Sequence, residues 1–104
     1  MTSSPAISLS SVVAQVSGLL ASTVDGEEML MNVARGHCYG LDAVGTDIWH
    51  RLAQPVAVDR LCRALGETYD ADPTTIERDV LALLSRLAGE GLISVGGPEN
   101  GSAA

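Results

Sequence analysis

The sequence predicts an α+β fold in which a three-stranded antiparallel sheet is followed by three helices, with the outline of a winged helix-turn-helix. Three observations predict it. The periodicity changes after Leu41 from about two, as in the alternation of residues 37–41, to the helical spacing. Asp25-Gly26 splits the strand-like region as a two-residue hairpin turn does, and Asp72-Pro73 offers an N-cap followed by proline at the first helical position. Hydrophobic residues make up 46% of the chain but aromatic residues only 3%, with no Phe, so the core must come from Leu, Val, Ile, Ala and Met. Helices packed on a small sheet suit that composition.

The chain has 104 residues, enough for one core and little more. Residues 1–18 read as a poorly ordered lead-in, within which ISLSSVVAQVSG alternates only in part and fits either a loosely held strand or a lead-in segment. Residues 19–95 read as the folded domain, and residues 96–104, rich in Gly, Ser and Asn, as a disordered tail. Within the domain, 19–24 and 27–33 form the hairpin strands, a turn follows at 34–36, and 37–41 make the third strand. That strand puts His37, Tyr39 and Leu41 on one face and Cys38 and Gly40 on the other.

Asp42 caps a first helix over 43–52, whose stripe is Val44, Ile48 and Leu52, widened by Trp49. Gln54-Pro55 stops it. The second helix, 58–69, aligns Val58, Leu61, Cys62 and Leu65 and carries Asp59 in its first turn, where the helix dipole favours a negative charge. The third, 73–88, aligns Ile76, Val80, Leu83, Leu84 and Leu87. Gly89 or Gly91 ends it, and 92–95 leaves as an extended stub.

Charge and composition exclude several functions. Six basic residues against 13 acidic ones give a formal charge of −7, and the six arginines are scattered, so a phosphate backbone is repelled rather than held. No apolar run approaches the length of a membrane span. The two cysteines, Cys38 and Cys62, form no Cys-x-x-Cys pair and read as reduced thiols of a cytoplasmic protein. Catalysis lacks a constellation: His37 and Cys38 are strand neighbours pointing to opposite faces, so they share no proton. Glu27-Glu28 and Asp70 with Asp72 are explained by turn and cap chemistry. No metal-ligand spacing and no phosphate-binding glycine cluster occurs. Neither an enzyme nor a cofactor is expected.

What remains is binding. The edge strand 37–41 contains no Lys or Pro, the usual blocks to strand pairing, so its backbone can accept an extended chain. Of Cys38 and Gly40, one N–H is expected to point to this open edge and the other into the sheet.

The runs DGEEMLMNVARGHCYGLDAVGTDIWHRL and VDRLCRALGETYDADPTTIERDVLALLSRLAGEGLI carry, in order, Gly-x-x-Tyr-Gly-Leu-Asp, Val-Gly-x-x-Ile-Trp, Tyr-Asp-x-Asp-Pro, Asp-Val and Gly-Leu-Ile. This ordered set, spread over residues 19–95, resembles the PqqD-like family of recognition elements for ribosomally made precursor peptides. The resemblance implies three strands packed on three helices and capture of a precursor's leader segment. The leader would add as a strand in the cleft between the third strand and the third helix. Carried over, the peptide-binding residues are Gly36, His37, Cys38, Tyr39, Gly40 and Leu41 on the strand. On the helix they are Asp79, Ala82, Leu83 and Arg86, with Asp79 and Arg86 as polar anchors and Leu83 as floor. The opposite flank of that helix carries Leu81 and Ala88. The YGLD and VGTDIW runs most resemble the standalone leader-binding proteins of lasso-peptide clusters, which implies a cysteine-protease leader peptidase and a cyclase as partners. The pyrroloquinoline-quinone assembly protein, which serves a radical enzyme, is the near alternative. A winged-helix DNA-binding protein is the rival of another class, and it lacks the outward basic and amide side chains that a recognition helix needs.

Overall fold

The computed structural model describes residues 7–96. The order of elements is β1 (Val12–Gln15), β2 (Leu20–Val24), β3 (Glu27–Asn32), β4 (His37–Gly40), α1 (Ala43–Arg51), β5 (Val56–Ala57), α2 (Val58–Thr68), α3 (Pro73–Gly89) and β6 (Ile93–Gly96). The predicted meander is present as the sheet β2-β3-β4, both pairs antiparallel. At its first turn Asp25 and Gly26 take φ of 55° and 82°, the left-handed pair that lets a two-residue loop follow the twist of its strands.

A second sheet, order β5-β1-β6, corrects two expectations. Of the two readings of the N-terminal segment the strand holds, and it is central rather than loosely held: Val12 and Val13 pair with Ala57 and Val56 on one side, and residues 12–15 pair with β6 on the other. Residues 92–95 are no stub, because β6 is the partner. Val13 is fully buried, the Gln15 N–H donates to the Leu52 carbonyl at 2.9 Å, and the Gln15 side chain donates to the Trp49 carbonyl at 2.7 Å. Residues 1–6, and the expected tail beyond Gly96, lie outside the described residues.

The helices form where capping and periodicity place them. The Asp42 carboxylate accepts from the Gly45 N–H at 2.8 Å, and Asp72 accepts from Thr74 and Thr75 at 3.0 and 3.2 Å. The expected stripes are buried on α2 (Val58, Leu61, Cys62, Leu65) and, on α3, at Ile76, Val80, Leu84 and Leu87. On α1 the stripe holds at three positions and fails at the first. Ile48, Trp49 and Leu52 are buried, whereas Val44 is 46% exposed, because Gly45 and Thr46 turn inward instead. A Cβ at Gly45 would stand 3.2 Å from the Asp42 carboxylate that caps the helix, a tight contact, so the missing side chain leaves room for the cap. Among the described residues, no helix is long and apolar enough to cross a membrane, and no three His, Cys, Asp or Glu converge as metal ligands.

Cys62 is buried on α2, which pushes its thiol up, while Cys38 is exposed on β4. Alkylation of the native protein should therefore modify Cys38 at once and Cys62 on the order of 100-fold more slowly, at the rate of opening. Intact mass after a timed iodoacetamide pulse, with and without denaturant, checks this. Two fast thiols in the native state would contradict the placement of Cys62.

Candidate functional site

The site begins with the hydrogen-bond parity of β4. Opposite residues of an antiparallel pair alternate between exchanging hydrogen bonds and exchanging none. The Leu41 N–H donates to the Glu28 carbonyl at 2.9 Å, and the register continues Met29↔Gly40, Leu30↔Tyr39, Met31↔Cys38, Asn32↔His37. His37, Tyr39 and Leu41 thus bond inward to β3, while Cys38 and Gly40 both direct N–H and C=O to the open edge. The expectation that these two differ is corrected: residues two apart share a side of the strand. Among the described residues no backbone or side-chain hydrogen bond occupies the Cys38 or Gly40 N–H.

Beside this edge lies a cleft of about 530 Å³ between β4, the start of α1, the end of α2 and α3. That volume is within the range of pockets that bury a ligand's side chains. Six of the ten residues named from sequence line it: Tyr39, Gly40, Leu41, Asp79, Leu83 and Arg86. The other four do not. Gly36 sits in the turn, His37 is turned to Glu90, the Cys38 side chain is exposed on the far face of the sheet, and Ala82 is exposed outside the lining. Leu81 and Ala88, on the opposite flank, pack against the core instead. The apolar floor missed in sequence comes chiefly from Ile48 of α1, Leu65 of α2 and the Ile76 and Val80 positions of α3 itself, with Tyr69 as a wall. Nothing in the spacing of these residues distinguishes core from floor.

Three polar clusters hold the walls in place. At the α1–α2 side, Asp47 accepts from the Arg51 Nε at 2.9 Å and from the Tyr69 hydroxyl at 2.8 Å, and Arg51 also donates to Thr68 at 3.1 Å. Burial alone would raise the Asp47 carboxyl, but the bonds from Arg51 and Tyr69 outweigh it and hold it below the usual carboxylate value. A carboxyl lowered in the folded state contributes stability above its unfolded pKa and loses it as acidification protonates it. Donating its O–H to Asp47 keeps the Tyr69 phenol protonated, raising its pKa, and fixes the ring at the cleft.

Beneath the sheet, Glu28 is only 6% exposed and was misread as turn chemistry. Its Oε1 receives the Thr23 hydroxyl at 2.8 Å and lies 3.2 Å from the His50 Nε2, so the carboxylate is buried with partners. The Thr46 hydroxyl accepts from the Glu28 N–H at 2.8 Å and reaches the Leu41 carbonyl at 3.4 Å, tying α1 to both strands. At the other end, Asn32 Nδ2 donates to the Glu90 carbonyl at 3.3 Å, Arg35 donates to the Gly89 carbonyl at 3.1 Å, and His37 Nδ1 lies 3.1 Å from Glu90 Oε1. These bonds clamp the β3–β4 turn to the C-terminus of α3.

Comparison with known proteins places this geometry in a family. The chain is similar to TbiB1, solved in complex with the TbiA(beta) leader peptide, with 30% identity, a TM-score of 0.72 and coverage of 78% of this chain and 94% of that one. It is also similar to the PqqD truncation of Methylobacterium extorquens PqqCD, described as a functional, stand-alone recognition element for ribosomally synthesized and post-translationally modified peptides. There the identity is 26%, the TM-score 0.72, and the coverage 86% of this chain and 95% of that one. No curated protein matches the chain. Residues 27–93, which span β3 through the start of β6 and so include β4, α3 and the cleft between them, match the family described as Coenzyme PQQ synthesis protein D (PqqD), and on that match the chain belongs to the PqqD family.

Proposed function

We propose that this chain captures the leader segment of a ribosomally synthesised precursor peptide as an added strand on β4. It then delivers the peptide, in the cytoplasm, to a leader peptidase of the cysteine-protease kind and a cyclase in lasso-peptide biosynthesis. One observation carries the reading: an uncovered strand edge, with two outward peptide groups at Cys38 and Gly40, borders a cleft with an apolar floor. Main-chain bonds at such an edge supply affinity, and pockets for alternate side chains supply selectivity. TbiB1, solved with a leader peptide, supports it. The lasso assignment rests on the resemblance of the YGLD and VGTDIW runs. The PqqD truncation among the similar structures favours a second reading, in which the leader is held for a radical enzyme instead. In either pathway the chain itself performs no chemistry.

The rival DNA-binding reading needs outward basic residues on α3. Arg78 lies 3.5 Å from Asp79, and the molecule carries a formal charge of −7. A labelled leader peptide and a labelled DNA duplex, each titrated at rising salt, separate the two. Leader affinity should fall little with salt, because strand pairing and apolar contact release few counterions. Tight duplex binding with a steep salt slope, and no leader binding, would reverse the assignment.

A further inference from the structure

The charged residues lining the cleft are Asp42, Asp79 and Arg86. Two of them are anions. Asp42 is committed to capping α1 through the Gly45 N–H at 2.8 Å, and Asp79 lies 3.5 Å from the Arg78 Nε. Arg86, among the described residues, has no carboxylate within salt-bridge distance. Arg86 is thus the cation of the lining, unpaired among the described residues, in a molecule whose formal charge is −7.

We infer that Arg86 selects an acidic side chain in the bound peptide, next but one to a bulky apolar residue seated on the cleft floor. The inference rests on the leader-binding reading above and names what the leader must carry. Leu83 and Arg86 lie three residues apart on α3, a rise of about 4.5 Å. Side chains on one side of an extended peptide recur every second residue, about 6.8 Å apart. An apolar residue over Leu83 and an acidic residue two positions away therefore reach both, and the length of the arginine side chain takes up the difference. Asp79 lies two turns from Arg86, about 10.5 Å along the helix, and disfavours a carboxylate at that end. The pair so gives the cleft an electrical polarity that fixes the register of the peptide. The overall negative charge does not cancel this preference. At physiological ionic strength, charges farther than about 8 Å are screened, whereas a guanidinium–carboxylate pair in contact and partly desolvated by the peptide is screened far less.

Selection from a displayed library of random dodecapeptides, using the full chain and its R86Q and R86E variants, tests the inference. Arg86 is exposed, so the variants should keep the parent's circular dichroism and thermal midpoint. The parent should enrich peptides with Asp or Glu at one fixed position, two from a large apolar residue. R86Q should keep the apolar residue and lose the acidic one, and R86E should replace it with Lys or Arg. An individual parent-selected peptide should bind R86E about tenfold more weakly. Enriched peptides without an acidic position, or with the same acidic position under R86E, would overturn the role of Arg86 and leave strand capture standing. If no peptide is enriched, or if enrichment survives closure of the floor in L83R, capture at this cleft falls and the inference falls with it.

Discussion

Proline at Cys38 is expected to weaken leader binding by about 30-fold while leaving the protein folded. The Cys38 N–H points away from β3, so removing it costs the free protein no sheet bond. In the complex it removes one main-chain bond, about 1 kcal/mol, and strands a peptide carbonyl away from water, for about 1 kcal/mol more. Together these give about 2 kcal/mol, or roughly 30-fold in Kd. Proline at Tyr39 is the control. Its N–H bonds inward opposite Leu30, which is only 1% exposed, so there the substitution should cost about 3 kcal/mol of folding stability. Leader affinity by fluorescence anisotropy and thermal midpoint by circular dichroism, measured on both variants, separate the two effects. A folded C38P protein that binds leader as tightly as the parent would remove strand addition at β4 and move the site to the helices.

Val13→Asp should abolish most of the stability. Val13 is fully buried on the central strand of the β5-β1-β6 sheet, between Val56 and Val95 in register. Placing a carboxylate there without a partner costs several kcal/mol, comparable with the roughly 5–15 kcal/mol that holds a small domain together. Urea denaturation should show a midpoint near zero, or no folding transition at all. An unchanged midpoint would mean that residues 12–15 are a dispensable lead-in and that the core closes without them.

That contrast shows what was legible in the sequence. The β2–β3 hairpin was readable because Asp25-Gly26 specifies its turn locally, and α3 because Asp72, Pro73 and the Ile76/Val80/Leu84/Leu87 stripe agree. β1 was not, because it is four residues of weak alternation whose partners, Val56–Ala57 and Ile93–Gly96, lie more than forty residues away. A two-residue strand such as β5 has no pattern of its own. At the site, periodicity and family resemblance pointed to the edge strand and to the flank of α3 whose Asp79, Leu83 and Arg86 line the cleft. The floor did not, since Ile48, Leu65, Ile76 and Val80 read as ordinary core positions. Glu28 was misread because its burial depends on Thr23, Thr46 and His50, which only the folded chain assembles around it.

The clamp between the β3–β4 turn and the end of α3 also bears on how the cleft keeps its width. Arg35 to Gly89 and His37 to Glu90 bridge the gap between the two walls just where β4 begins. Lining residues start only at Tyr39, beyond that bridge, and run on to the head of α1. The two walls are therefore joined by side-chain bonds at the turn end, while toward Asp42 the lining passes onto the head of α1. The spacing between β4 and the end of α3 is thus held by side chains as well as by the core, and loss of Arg35 or Glu90 would loosen one end of the cleft before the other.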